Sequence, residues 1–201
     1  MHKRLLVAVT GASALPLSVR FLEVLKEKKI ERHLVVSHHA QDVQECELKK
    51  NISWDCLCEK MYQDDDISSC VCSGSYPMDG MVIIPCSMNT LAHIAHGIED
   101  SVITRAAGVH LKQERKLILV PRETPLSLIH LENMLLAKKS GCSIVFPTLA
   151  FYFSPQSIED MMEFIIGKIL ELFSIEHSLY PLWTEKASTK KNGKKARHKY
   201  E

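Results

Sequence analysis

The chain opens on a continuous apolar run, Arg4-Leu-Leu-Val-Ala-Val-Thr10, that stops at Gly11-Ala12-Ser13. A strand buried on both faces lacks polar alternation in this way, and the small residues after it suit a turn. Downstream, Leu17, Phe21, Val24 and Leu25 recur at helical spacing, with Pro16 tolerated in the first turn and Ser13 the expected N-cap. The pattern then repeats. His33 to Ser37 reads as a second strand with a helix over His38 to Leu48, and Met81 to Pro85 as a third with a helix from about Asn89. Lys116 to Val120 and Ser143 to Phe146 read as a fourth and fifth, with helical patterns at Leu126 to Lys138 and Ser157 to Phe173. Strands alternating with helices predict an α/β fold, a doubly wound, mostly parallel sheet with helices on both faces, Rossmann/flavodoxin-like in type. In such sheets ligands gather beyond the carboxyl ends of the strands. Gly11–Ser13, Ser37, Pro85–Thr90 and Arg122–Glu123 all follow a predicted strand and mark the candidate site.

Composition narrows the class. At 201 residues and 46% apolar, the chain can bury the core of one domain, expected over residues 1–183. Residues 184–201 hold seven Lys/Arg against two Glu, without apolar periodicity, and are expected to form a disordered basic tail. Interleaved aromatics and a binding motif are missing from that tail, so a nucleic-acid role is not expected. Apolar stretches are strand-length, short of the roughly 18 to 20 residues a membrane span needs. The first residues carry no secretory signal pattern, which points to the cytoplasm. Seven cysteines fit neither a disulfide framework nor zinc, since the pairs Cys56/Cys58 and Cys70/Cys72 are C-x-C rather than C-x2-4-C. They are expected to be reduced thiols in or near the core.

The strand-end segments offer specific chemistry. Gly11-Ala12-Ser13 allows close backbone approach and presents amides and a hydroxyl at a helix start, which suits an anionic group or an ordinary cap. Pro85-Cys86-Ser87-Met88-Asn89-Thr90 repeats that arrangement, and two such turns at adjacent strand ends favour a nucleotide-like ligand. Pro121-Arg122-Glu123-Thr124-Pro125 sets one cation and one carboxylate on a loop stiffened by two prolines. Arg105, Lys112, Lys168 and Tyr152 are further candidates for a second anion, provided that they converge. The run Asp64-Asp65-Asp66 has no partner of D-D-x-x-D form and reads as a solvated loop. His93 and His96 lie at i, i+3 with no third ligand and read as structural.

Taken in order, seven segments resemble the UbiX-type flavin prenyltransferases over about residues 3–183. They are Thr10-Gly-Ala-Ser13, Ser73-Gly-Ser75, Pro85-Cys-Ser-x-x-Thr90, Arg105-Ala-Ala-x-Val-x-Leu-Lys112, Val120-Pro-Arg-Glu-Thr-Pro125, Ile129-His-Leu-Glu-Asn-Met134, and Phe151-Tyr152 with Pro155-Gln-Ser157. The resemblance implies an enzyme that joins dimethylallyl phosphate to reduced FMN at N5 and C6 without a metal. The product would serve a UbiD-type decarboxylase, and the assembly would be a homododecamer with sites at subunit contacts. It further implies that Gly11, Ala12, Ser13, Ser37, Ser87, Met88, Asn89, Thr90 and Arg122 contact FMN. Arg105, Lys112, Arg122, Tyr152 and Lys168 would bind the substrate phosphate, with Glu123 the acid/base there and Glu47 and Ser13 assisting at the flavin. For Glu123 the plain alternative is an ion pair with a nearby cation, and for Glu47 a solvent-facing helix position.

The chain departs from that pattern at several positions. Ala14 stands for the usual glycine, Leu17-Ser18 for Tyr-Gly, His38 for Lys, Lys168 for Arg and Gly108 for an Asp. Lysine keeps the charge of arginine but loses its two-pronged fork. A flavin-dependent cysteine decarboxylase of similar fold shares the Pro85–Thr90 pattern, yet its P-x-M-N-x-x-M-W clamp is missing. A non-catalytic FMN-binding or carrier protein is the third reading, which the presence of Glu47, Arg105, Lys112, Glu123 and Tyr152 disfavours.

Overall fold

A computed structural model describes residues 3–48, 52–181 and 183; the basic stretch 184–201 lies outside them. Six strands form one sheet: β1 (Arg4–Val9), β2 (Glu31–Val36), β3 (Lys60–Tyr62), β4 (Gly80–Cys86), β5 (Lys116–Pro121) and β6 (Ser143–Ile144). Their order is β3-β2-β1-β4-β5-β6 and every pairing is parallel, so the doubly wound expectation holds. The sequence pattern predicts five strands; the sixth, β3, is a three-residue edge too short to show alternation. From β1 the chain winds first toward β3 and later, through β4, toward β6, which makes the β1/β4 boundary the topological switch point.

Alternate residues of each central strand feed two cores. Leu5, Val7 and Val9 pack with Val82, Ile84 and Ile118 beneath α1 (Leu15–Glu27) and α6 (Ile158–Leu172), and Ala40 of α2 (His38–Glu47) joins them. Leu6, Ala8, Met81, Ile83, Leu117 and Leu119 face α3 (Met88–Ala95), α4 (Val102–Lys112) and α5 (Leu128–Lys139). Helix starts follow local chemistry. Ser101, Ser127 and Ser157 each cap their helix in a reciprocal box, with Thr104, His130 and Asp160 returning the bond. His130 is thereby accounted for as a capping partner.

Three expectations need correction. Ser13 is not the N-cap of α1; Ala14 holds that position in a left-handed conformation with φ 96° and has no side-chain cap. Asp64 is not a solvated loop residue: its carboxylate accepts the Ile103 N–H at 3.0 Å, its carbonyl accepts the Val102 N–H at 2.8 Å, and burial pushes its carboxyl up. The cysteines are free thiols; Cys72, Cys86 and Cys142 are buried, but Cys46 and Cys56 are exposed rather than core.

Candidate active site

The switch point is held by Thr10, whose backbone N–H also donates to the Pro85 carbonyl at 3.3 Å. Thr10 Oγ1 donates to the Pro85 carbonyl at 2.9 Å and accepts the Ser87 N–H at 2.8 Å, tying the loop after β1 to the loop after β4. Ser87 then caps α3: its Oγ accepts the Thr90 N–H at 3.2 Å and lies 2.9 Å from Thr90 Oγ1. Across the β1 loop, α2 begins directly after Ser37, and a Cβ on Gly11 would stand 2.6 Å from His39 Cβ. Glycine is therefore required where these two loops touch.

These loops enclose a cavity of about 640 Å³ lined by Thr10, Gly11, Ser37, Ser87, Asn89 and Thr90 on one side and by His38, Asp64, His93, Asp100, Ser101 and Thr104 among others. Of the nine positions expected to contact FMN, Gly11, Ser37, Ser87, Asn89 and Thr90 line it; Ala12, Ser13, Met88 and Arg122 do not. Asp100, Ser101 and Thr104 carry no signal in the sequence pattern, because only the fold brings the start of α4 to this opening. Ser37 Oγ is buried and has no hydrogen-bond partner among the described residues, although Ser37 directly precedes the first turn of α2. A buried hydroxyl left unpaired is costly unless a ligand satisfies it. Hydroxyls, helix-start amides and this orphan atom fit the polar and anionic edges of FMN.

Beside the cavity, Pro121 pairs with Cys86 and the Arg122 N–H donates to the Cys86 carbonyl at 3.3 Å, which sets Arg122 and Glu123 next to Ser87 at the sheet's carboxyl edge. Glu123 is half-buried, accepts the Thr124 N–H at 2.9 Å, and forms no ion pair among the described residues. Glu47 is not merely solvent-facing: its carboxylate accepts the N–H groups of Ala14 and Leu15. Thus the amides at the start of α1 meet a side chain of α2.

The expected phosphate-binding cations are divided between the two faces. Arg105 and Lys112 lie on α4, Arg105 paired with Glu99 at 3.4 Å. Gly108 gives Glu99 room, since a Cβ there would collide with its carboxylate; an acidic partner for Arg105 thus comes from the preceding loop. On the other face, Lys168 of α6 pairs with Glu171 at 3.0 Å and lies over the rings of Phe164 and Tyr180. Tyr152 packs edge-on against Phe153, Phe164 and Trp183. None of these four lines the cavity of its own chain. His93 turns to Asp100 and His96 to Asn133, and no group of three potential metal ligands is found among the described residues.

Comparison with known proteins agrees with this geometry. A family model described as Flavoprotein matches residues 1–170. A flavin prenyltransferase UbiX of Thermoplasma acidophilum is 42% identical, covering 90% of this chain and 99% of its own. A mitochondrial flavin prenyltransferase of Saccharomyces cerevisiae is 45% identical over 90% of this chain and 75% of its own. Among solved structures, a UbiX in complex with FMN and dimethylallyl pyrophosphate superposes with TM-score 0.87 at 38% identity, covering 92% and 98% of the two chains. The peptidyl-cysteine decarboxylase EpiD, at 19% identity and TM-score 0.61, shares the fold alone. The chain belongs to the Flavoprotein family, among its UbiX-type flavin prenyltransferases.

Proposed function

We propose that this flavin prenyltransferase transfers a dimethylallyl group from dimethylallyl phosphate to N5 and C6 of reduced FMN. The observation that carries the reading is the orphan Ser37 hydroxyl at a hydroxyl-lined cavity at the switch point, beside which α2 and α3 both begin. Reduced flavin supplies the nucleophilic ring atoms. Gly11, Ser37, Ser87, Asn89 and Thr90 hold and orient it; Arg122, beside Ser87, neutralises negative charge at the same edge. Departure of phosphate needs cations against the growing charge and a proton for the leaving oxygen. Glu123 stands at the right loop to deliver that proton.

Lys112, Arg105, Tyr152 and Lys168 complete the phosphate subsite when copies of the chain assemble. Support comes from their absence from the chain's own cavity and from strongly exposed apolar side chains around Tyr152 and the start of α6, Leu149 and Phe151 at 67% and Ile158 at 74%. A UbiX-like decarboxylase of Escherichia coli O157:H7, 41% identical with TM-score 0.85, is described as dodecameric and FMN-dependent. A homododecamer is the proposed assembly here, a UbiD-type decarboxylase the proposed recipient of the product, and the cytoplasm the proposed location; no described helix is long and apolar enough to cross a membrane.

Anaerobic incubation with reduced FMN and dimethylallyl phosphate, followed by flavin mass measurement, tests the transfer. A mass gain equal to one dimethylallyl group, undiminished by EDTA, is the expected result; an unchanged flavin from folded, assembled protein overturns the reading. Running dimethylallyl pyrophosphate in parallel identifies the donor.

A further inference from the structure

A cluster of five ionisable or nucleophilic side chains lies away from the flavin cavity, where β2 meets the edge strand β3. Glu31 and His33 share one face of β2, and His33 is paired in register with Lys60. From His33 to Ser37 at the cavity is four residues of strand, roughly 13 Å. The contacts form a line. His33 Nε2 is 2.9 Å from Glu31 Oε1, His33 Nδ1 is 2.6 Å from the Tyr62 hydroxyl, and that hydroxyl is 3.3 Å from Cys70 Sγ. The Lys60 ammonium is 3.6 Å from the same sulfur and 4.9 Å from the centre of the Tyr62 ring.

We propose that Cys70 is a peroxide-reactive thiol whose proton is drawn through Tyr62 to His33, with Glu31 orienting the imidazole and Lys60 stabilising the thiolate. The Glu31 carboxylate can only accept, so the His33 ring proton belongs on Nε2 and Nδ1 accepts from Tyr62. Tyr62 in turn accepts from the Cys70 thiol. Shifting both protons one place along the line leaves a thiolate that accepts from Tyr62, and an imidazolium that donates to Tyr62 and Glu31. This is the nucleophile, base and orienter arrangement with one hydroxyl interposed.

The remaining charges around the line act in both directions. Arg4 Nε also reaches Glu31 Oε1 at 2.8 Å and its guanidinium lies over Tyr76, so it competes for the carboxylate. Burial holds the His33 imidazole below its ordinary value, with Glu31 opposing that shift. For Cys70, burial would raise the thiol, but the Tyr62 hydroxyl, the Lys60 ammonium and the Tyr76 hydroxyl prevail and bring it below the ordinary range. Tyr62 itself is pushed well up by burial, so it keeps its proton and serves as a donor. Cys72, two residues on, is buried and raised by that burial, and does not share the chemistry.

The substrate class is a hydroperoxide. The sulfur attacks its terminal oxygen; the S–O bond forms as the O–O bond breaks, sulfur gives up two electrons to become a sulfenic acid, and the departing alkoxide or hydroxide takes up the proton that left the thiol. The products are one sulfenic acid and one alcohol or water. Cysteine oxidation follows thiolate character and access, and Cys70 combines both, being partly exposed.

Cys46 and Cys56, both exposed, provide references within the same chain. The full chain is exposed to hydrogen peroxide at pH 7, sulfenic acids are trapped with dimedone, and the rate at each cysteine is read by peptide mass spectrometry. Cys70 should react several-fold faster than Cys46 and Cys56, because thiolate character and access together govern the rate. Tyr62→Phe should lower that rate and move its pH profile upward, and Lys60→Met, at an exposed site, should shift the profile the same way with Tyr62 intact. Equal rates at the three cysteines in the wild type overturn the proposal. So does a folded Tyr62→Phe variant with unchanged rate and pH profile. Should Tyr62→Phe fail to fold, a pH profile unmoved by Lys60→Met overturns it equally.

Discussion

The Glu47 carboxylate accepts the Ala14 N–H and the Leu15 N–H, each at 2.9 Å, and so caps a helix in whose sequence it does not lie. Capping and proton transfer are separable roles for this residue. Glu47→Ala should lower stability by about 1 kcal/mol, the usual loss of a cap. Glu47→Gln keeps one accepting oxygen and should melt close to wild type. If Glu47 also moves a proton at the flavin, the Gln variant will show a depressed single-turnover rate at unchanged melting temperature; a normal rate assigns it to capping alone.

Ala14 sits at φ 96°, where a side chain is strained by about 1–2 kcal/mol. Ala14→Gly should therefore raise the unfolding midpoint despite adding freedom to the unfolded chain. Denaturant titration checks this, and a loss of stability would show that the Ala14 methyl makes a compensating contact.

Ser37→Ala should act in opposite directions on two measurements. Removing an unpaired buried hydroxyl should leave the ligand-free protein as stable as wild type or more so. FMN affinity should fall about tenfold, equivalent to roughly 1.4 kcal/mol. Calorimetry with and without FMN reads both, and unchanged affinity would remove Ser37 from the binding site.

Glu123→Gln should reduce saturated turnover by about 10²- to 10⁴-fold, the range of general acid–base catalysis, with FMN binding nearly intact. Single-turnover rates at saturating FMN and dimethylallyl phosphate decide. A rate within about threefold of wild type lies below that range and leaves Glu123 without the proposed role.

His110 is fully buried and gives Nδ1–H to the Ala106 carbonyl at 2.7 Å. Burial pushes its pKa down to about 4 from 6.5. The folded chain thus resists a proton that the unfolded chain accepts. Stability from this site is complete above pH 6.5 and declines as pH falls toward 4, by up to about 3 kcal/mol. Urea midpoints across that interval should slope in wild type and flatten in His110→Gln.

The long elements are legible in the sequence because their cause is local. Buried parallel strands declare themselves as unbroken apolar runs, and α6 declares itself through Ser157 and its apolar stripe. The three residues of β3 carry no pattern of their own and become a strand only because β2 offers an edge. The same division runs through the site. Gly11, Ser87 and Thr90 follow from turn chemistry, whereas Asp64, Asp100 and Ser101 are distant in sequence from those turns and arrive by topology. Residue type alone makes Ser13 the expected cap; the capping group comes instead from Glu47, more than thirty residues away. Resemblance groups the cations of α4 and α6, and one chain by itself leaves them on opposite faces of the sheet.

Thr10 ties the two loops of the switch point through its N–H and through a hydroxyl that both gives and receives. Its bonds form within the chain, so the relative position of the two loops is fixed at folding and carries no ordering cost when flavin arrives. Because that cost is absent, the preformed pair of loops holds flavin more tightly than a loose pair would, and binding need not wait on their rearrangement.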